Sequence, residues 1–441
     1  MTSLSPAVRR GYALGSVATG TFGTVPGLLL LPYLTDSLGI AAVVAGFIVF
    51  VPKAWDVVLN PLVGRISDRS PSPSGRRRPF LLKGGLTLAA CFALLFAGPT
   101  GPPVVAGAWV VVWFLACATA YAFFQVPYVA MPAEMTLDYA ERTRLMTWRV
   151  AVLALAILLS GATAPMVVNA FGGEETPKGY RFMGAYVAVI LAIGVYGAWR
   201  GTRDATEHRV ETAAGSLRDQ LRLVSAAPDF RVLLLTFVLQ AIGVGAMLAG
   251  VAYVADDLLD SKPATTILFA AFVAPALLVT PLWERYAERR GKKSGYLAAS
   301  LFLVVGSLVL FQARADQAVV VYLAAAIVGV GYAGAQVFPM AMLPDVAAHD
   351  AATSGENRIG VFTGVWTAGE TLGLALGPGV FALVLAIGGY VSSTDHTAVQ
   401  PDSARTAIAI GFSLVPAALI AASLLFLRRY SLDDLENVRE R

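Results

Sequence analysis

The sequence predicts an all-α polytopic membrane protein of twelve transmembrane helices, arranged as two six-helix halves. Three observations predict it. Of 441 residues, 57% are hydrophobic and 14% charged, with a mean hydropathy of +0.67, whereas a soluble protein carries about 25% charged residues. Twelve runs are long enough to supply the roughly 20 apolar residues that cross a bilayer. The second half of the chain also repeats motifs of the first.

The runs cover 12–35, 41–64, 79–98, 104–131, 146–170 and 181–199, then 232–254, 264–283, 295–313, 318–343, 360–389 and 404–427. Span one is threonine-rich at Thr19, Thr21 and Thr24 and bends at Pro26. Span two carries Lys53, Asp56 and Asn60 inside an apolar run. Spans three and four hold Cys91 and Cys117, small embedded side chains with neither disulfide nor metal spacing. Span four has Pro127, span five opens near Arg149, and span eleven combines Glu370 with Gly373, Gly377 and Pro378. Small residues let helices approach closely in lipid, and proline is tolerated where neighbours satisfy the freed carbonyls. Nothing at the N-terminus reads as a cleaved signal peptide.

Lysine and arginine in short loops set the orientation. One side carries Arg9, Arg10, the 65–83, 141–149, 200–231 and 284–293 loops, Arg358 and the tail arginines; the other carries Lys178, Arg181, Lys262, Arg314 and Arg405. An asymmetry of about five to one makes both termini cytoplasmic. The division is then an N-terminal half (1–200), a cytoplasmic linker (201–230), a C-terminal half (231–428) and a tail (429–441). Leu217, Leu221 and Val224 recur at helical spacing within the linker.

Two stretches repeat. Asn60-Pro61-Leu62-Val63-Gly64-Arg65 through Asp68-Arg69 lines up with Thr280-Pro281-Leu282-Trp283-Glu284-Arg285 through Glu288-Arg289; Gly75-Arg76-Arg77-Arg78 and Gly291-Lys292-Lys293 follow. Gln125, Met131 and Glu134 match Gln336, Met342 and Asp345 at identical spacing. A parallel six-plus-six repeat is a transporter architecture, with its substrate site between the halves.

Gly64-x-x-x-Asp68-Arg69 with Gly75-Arg76-Arg77 resembles the loop 2–3 signature of the major facilitator superfamily, with a Ser/Pro insertion. The wider chain is similar to the glycoside–pentoside–hexuronide:cation symporters, the family of the melibiose permease. Tyr33-Leu-Thr-Asp36, Lys53-x-Trp-Asp56-x-x-x-Asn60-Pro61, Gln125-Val-Pro127, Glu141-Arg-Thr-Arg-Leu145 with Trp148-Arg149, and Val365-Trp-Thr367 through Leu376 carry the likeness across both halves. It implies the major facilitator fold and cation-coupled sugar transport. The departures are specific. Gly20 stands where the family has a span-one acid, Asn60 where it has a second cation-site acid, Gln125 for the span-four acid, and Thr371 for the span-eleven lysine, beside Glu370. They count against sodium held by several carboxylates and against an ordinary sugar, and favour a less hydroxylated or amphipathic solute.

Asp56 is the leading coupling residue. A charged carboxylate in mid-span costs at least about 2.5–3.5 kcal/mol, and burial favours its neutral form, as a proton carrier requires. The competing role is a static pair with Lys53, three residues earlier on the same helix face. Asn60 and Gln125 offer carbonyl oxygens to a cation or join helices by hydrogen bonds, and Pro61 and Pro127 expose backbone carbonyls nearby. Arg149 suits an anionic or hydroxylated solute, or else snorkels. Glu370 and Thr371 are further solute candidates, with Tyr121, Tyr128, Gln336 and Trp366 as cavity walls for which packing is the alternative. Asp68, Arg69, Arg76, Glu134, Glu141, Arg142, Glu284, Arg285, Asp345 and Arg358 read as charge contacts closing a cytoplasmic gate.

The basic excess lies in short loops, so no nucleic-acid partner is expected. There is no nucleophile–base set, no phosphate loop, and the histidines His208, His349 and His396 are scattered, so neither an enzyme nor an ATP-driven pump is expected. The expectation is a secondary transporter in the plasma membrane, monomeric and without cofactors, moving a small solute with a proton or sodium. An uncoupled facilitator, an exporter of drugs or metabolites, or a lysolipid carrier is the alternative, and a non-transporting sensor is the outsider.

Overall fold

A computed structural model describes residues 4–68, 70, 76–136, 138–172, 177–205, 227–354, 359–393 and 399–432. Among them are twelve helices long and apolar enough to cross a membrane, and no strand. The first six are α1 (Pro6–Pro32), α2 (Ala42–Asp68), α3 (Arg78–Leu95), α4 (Pro103–Met135), α5 (Tyr139–Ala170) and α6 (Pro177–Gly201). The second six are α7 (Pro228–Tyr253), α8 (Ala264–Arg290), α9 (Lys292–Leu310), α10 (Ala318–Ser354), α11 (Ile359–Ile387) and α12 (Asp402–Leu427), which passes a π turn at Ile410–Leu414. The chain divides into two compact units, one holding α1–α6 and the other α7–α12.

Ser5 caps α1 by accepting from the Val8 N–H, and prolines in the first turns of α4 and α7 occupy positions whose N–H has no helical partner. Helices outrun the apolar stretches: α10 continues to Ser354, past the 343 expected from hydropathy, and α5 starts at Tyr139 rather than 146. Their charged ends remain helical where the hydropathy signal has already stopped. Both α4 and α11 run through their internal prolines, Pro127 and Pro378. Leu217, Leu221, Val224, Arg69, Arg358, His208, His396 and the tail beyond 432 lie outside the described residues, as do the side chains of Asp68 and Arg142.

The halves repeat in packing. In the first, α1 rests on α5 and α6, α3 on α4 and α6, and α2 on α4; in the second, α7 rests on α11 and α12, α9 on α10 and α12, and α8 on α10. Glycines make the closest crossings possible. On α11, Gly369, Gly373 and Gly377 recur every fourth residue against α7, and a Cβ on Gly377 would stand 2.5 Å from the Ala246 nitrogen. Gly377→Leu is therefore expected to force α7 and α11 apart, costing at least about 1–3 kcal/mol, read as a lowered melting temperature in detergent.

A third repeat escaped the sequence comparison. α1 and α7 both end in π turns, Tyr33–Ser37 and Val254–Leu258. The Leu38 N–H donates to the Tyr33 carbonyl and that of Leu259 to Val254; the Ile40 N–H donates to Leu34 and that of Ser261 to Ala255. The left-handed position is Gly39 (φ 65°) in one turn and Asp260 (φ 46°) in the other. A side chain in that conformation costs about 1–2 kcal/mol, less for Asp than for most residues. Gly39→Ala is expected to lower stability by about that amount and Asp260→Gly to leave it unchanged or raise it, measured as paired thermal shifts.

Candidate functional site

Asp56 sits midway along α2 with 8% exposure. Its Oδ1 has no hydrogen-bond partner. Lys53 lies one turn earlier and half-buried, yet no Lys53–Asp56 ion pair within 4.0 Å forms among the described residues. The static pair is thus not the arrangement found. α2 is held on α4 by Leu59 and Val63 with Ala122, Phe123 and Val126. Higher on the same contact, the Trp55 indole N–H donates to Thr119 Oγ1 at 3.3 Å. Gln125 projects from α4, half-buried, and its Oε1 also lacks a partner. Neighbouring helices therefore each carry an acceptor left unsatisfied, which is costly in a low-dielectric interior unless something else meets it. Asn60 is half-buried one turn beyond Asp56. Among the described residues no three His, Cys, Asp or Glu side chains converge, so Asp56 is not part of a carboxylate cluster.

Tyr128 is not a cavity wall but a fully buried tie between α1 and α4. It stacks on Tyr12 at 4.6 Å, donates to the Tyr12 carbonyl at 2.9 Å and meets Ser16 Oγ at 3.0 Å; the Tyr12 hydroxyl donates back to the Tyr128 carbonyl. Ring and hydroxyl are both engaged, leaving no surface for a solute. Arg149 of α5 lies over the Tyr128 ring at 5.6 Å, which draws α5 into the same cluster through a cation–π contact. Tyr12 and Ser16 were not singled out from sequence; the available signal was Gly15, where a Cβ would collide with the Tyr128 ring. Tyr121, half-buried on α4, packs its ring 4.6 Å from Phe22.

In the second half, Trp366 is likewise buried, at 1% exposure, against Phe237 and Phe230 of α7; it is part of the α7–α11 seam rather than a cavity wall. Gln336 of α10 and Glu370 of α11 are both half-buried, and no hydrogen bond joins them among the described residues. Thr371 turns its hydroxyl back to the Thr367 carbonyl at 2.9 Å.

The charged helix ends pair within each half. Glu134, at the end of α4, accepts from Arg76 (2.7 Å) and from Arg77 through both Nη2 (2.8 Å) and Nε (3.0 Å); Arg77 also donates to Ser67. In the other half Lys292, at the start of α9, pairs with Asp345 of α10. These are the two sequence repeats joined to one another: each Gly-basic run meets the acid of the other motif. A second tie runs beside each, from Arg78 to the Trp199 carbonyl and from Lys293 to the Tyr430 carbonyl. Arg77, Arg78, Lys292 and Lys293 had been read as topology signals and as members of the repeated basic runs, but not as gate contacts. Glu141 is buried and bridges Arg9 at 3.5 Å and Arg144 at 3.0 Å. Glu284 and Arg285 are exposed on α8 and form no ion pair among the described residues.

A family model described as MFS/sugar transport protein matches residues 11–434. The chain belongs to this family. It is 25% identical to the glucuronide carrier protein homolog of Escherichia coli (strain K12), with 96% of this chain and 92% of that protein covered. It is 24% identical to the isoprimeverose transporter of Lactiplantibacillus pentosus, with 97% and 89% covered. The crystal structure of a D-xylose-proton symporter superposes with a TM-score of 0.71 at 15% identity, covering 96% of this chain and 97% of that one. The protein is accordingly a multi-pass secondary transporter of the major facilitator fold, and not an enzyme.

Proposed function

We propose that this transporter is a proton-coupled symporter of a glycoside, with Asp56 the group that takes up and releases the proton. The observation that carries the reading is the Asp56 carboxyl, buried in mid-helix with Oδ1 unbonded and, among the described residues, no lysine within the 4.0 Å of an ion pair. A permanently charged carboxylate there is costly, and a proton removes the charge at the step where the site must cross. The glycoside class rests on the family and on relatives named for a glucuronide and for isoprimeverose. Alternating access would move the halves as bodies, each kept stiff by its helix-end pairs, Arg76/Arg77–Glu134 and Lys292–Asp345. The Lys/Arg asymmetry supports a plasma-membrane protein with both termini cytoplasmic, acting as a monomer.

One observation favours a second reading. The unbonded Gln125 Oε1 on α4, with Asn60 beyond Asp56, offers oxygens that suit sodium. Proteoliposomes supplied with methyl glycosides separate the two. Accumulation driven by an inward pH gradient in sodium-free buffer supports the proton. Accumulation only with a sodium gradient assigns the site to sodium. Flux that merely equilibrates under both gradients sinks the coupling proposal.

A further inference from the structure

Where α3 begins and α4 and α6 end, on the arginine-rich side of the first half, a niche of about 230 Å³ (its mouth included) opens between the helices. Its lining includes Arg77, Arg78, Glu134 and Ala205, with the buried Met131 and Met135. Its charge is unbalanced. Arg76 and Arg77 share the Glu134 carboxylate at 2.7 and 2.8 Å, and Arg78 stands next in the chain with its guanidinium 5.7 Å from the centre of the Trp199 ring. No side chain caps α3 and its first turn holds no acid, so the partial positive charge of the helix start adds to the arginines. Arg200 of α6 is a further exposed base, and the exposed Arg203 and Asp204 beyond it are of opposite sign. The niche also lies at headgroup depth. Trp199 is two residues from the end of α6, its ring 5.8 Å from that of Tyr196, and tryptophan and tyrosine collect at the membrane–water interface. From Tyr196 an exposed stripe continues along α6 through Ile193 and Val189, one residue per turn, and Leu86 is exposed on α3.

We infer that this niche holds the phosphodiester of an anionic phospholipid, whose acyl chains lie along the exposed stripe of α6. The charge selects the phosphate. Guanidinium groups bind phosphate oxygens with charge-assisted hydrogen bonds, and a basic pocket between membrane helices suits a lipid headgroup. A zwitterionic headgroup brings its own cation, which the arginines repel. The stripe selects a lipid over free phosphate, because only a molecule with chains gains by covering Ile193 and Val189. Asp56, midway along α2, takes no part, so the inference stands apart from coupling.

Native mass spectrometry of the full-length protein, stripped of lipid in detergent and titrated, tests this with three probes: dioleoylphosphatidylglycerol, dioleoylphosphatidylcholine and inorganic phosphate. One phosphatidylglycerol is expected to bind at least about tenfold tighter than phosphatidylcholine, as a charge-assisted hydrogen bond allows, and inorganic phosphate should bind more weakly than phosphatidylglycerol. Arg78→Gln should remove the preference between the lipids. Lys293→Gln, at the equivalent base of the second half, should leave it within about twofold. If Arg78→Gln does not fold, Ala205→Leu, which keeps every charge and fills the niche, should weaken phosphatidylglycerol and leave phosphatidylcholine unchanged. Equal affinities for the two lipids overturn the inference, as does a preference that survives Arg78→Gln or Ala205→Leu. A preference lost equally in Lys293→Gln overturns it too, by marking general surface charge. Phosphate bound as tightly as phosphatidylglycerol assigns the niche to a free anion and removes the lipid.

Discussion

Replacing Asp56 by Asn is expected to turn a concentrating transporter into an equilibrating one. Asparagine keeps the shape and can still hydrogen-bond, but it cannot carry a proton. One charge moved through 100 mV is worth about 2.3 kcal/mol, which at 1.4 kcal/mol per tenfold supports roughly 50-fold accumulation of a neutral glycoside. In proteoliposomes at that potential the wild type should approach this ratio. Asp56→Asn should reach about unity and still exchange labelled for unlabelled solute with no gradient. Lys53→Met supplies the contrast. Because Lys53 and Asp56 form no ion pair, its removal should leave accumulation above about tenfold. If Lys53→Met instead abolished accumulation as Asp56→Asn does, the two residues would act as one unit. Accumulation retained in Asp56→Asn would remove the residue from coupling altogether.

The fold was legible in the sequence because its dominant signal is composition along the chain. A span announces itself as an apolar run, and the repeats at Asn60–Arg69 and Thr280–Arg289 marked two equivalent halves. Asp56 was legible for the same reason, as a charge where lipid disfavours one. Orientation around a helix was not. A helix that is hydrophobic all round has no readable face, so nothing in α4 or α11 distinguished Tyr121 from the buried Tyr128, or Glu370 from the buried Trp366. Pairing between distant residues was also hidden. Arg76 and Glu134 lie 58 residues apart and Lys292 and Asp345 lie 53 apart. Each motif had been recognised, yet nothing in a linear alignment says that one supplies the base and the other the acid of a single contact. The π turns escaped because Tyr33-Leu-Thr-Asp36 and Val254-Ala-Asp-Asp257 share backbone geometry, Gly39 against Asp260, more than side chains.

The two equivalent ion pairs are expected to differ sharply in their contribution to stability, because they differ in burial. The Glu134 side chain is 6% exposed and that of Arg77 5%, whereas Lys292 and Asp345 are 34% and 26% exposed. Glu134→Gln removes the acid from two guanidinium groups, one of them buried. Breaking a buried pair by deleting one partner costs about 3–5 kcal/mol, because the remaining charge is stranded. Asp345→Asn breaks a pair that water can still reach, and its cost should stay within about 1 kcal/mol. Cys91 and Cys117 are free, buried and both in the first half, so labelling by a thiol-reactive dye on heating follows the half that contains Glu134. Light scattering on heating follows Asp345→Asn. Adding Arg77→Met to Glu134→Gln should recover much of the loss, since an apolar side chain in place of the stranded arginine carries no charge to desolvate. Equal losses for Glu134→Gln and Asp345→Asn, or no recovery in the double variant, would mean that burial does not set the strength of this contact. The helix-end pairs would then act through something other than the charge left behind in the protein interior.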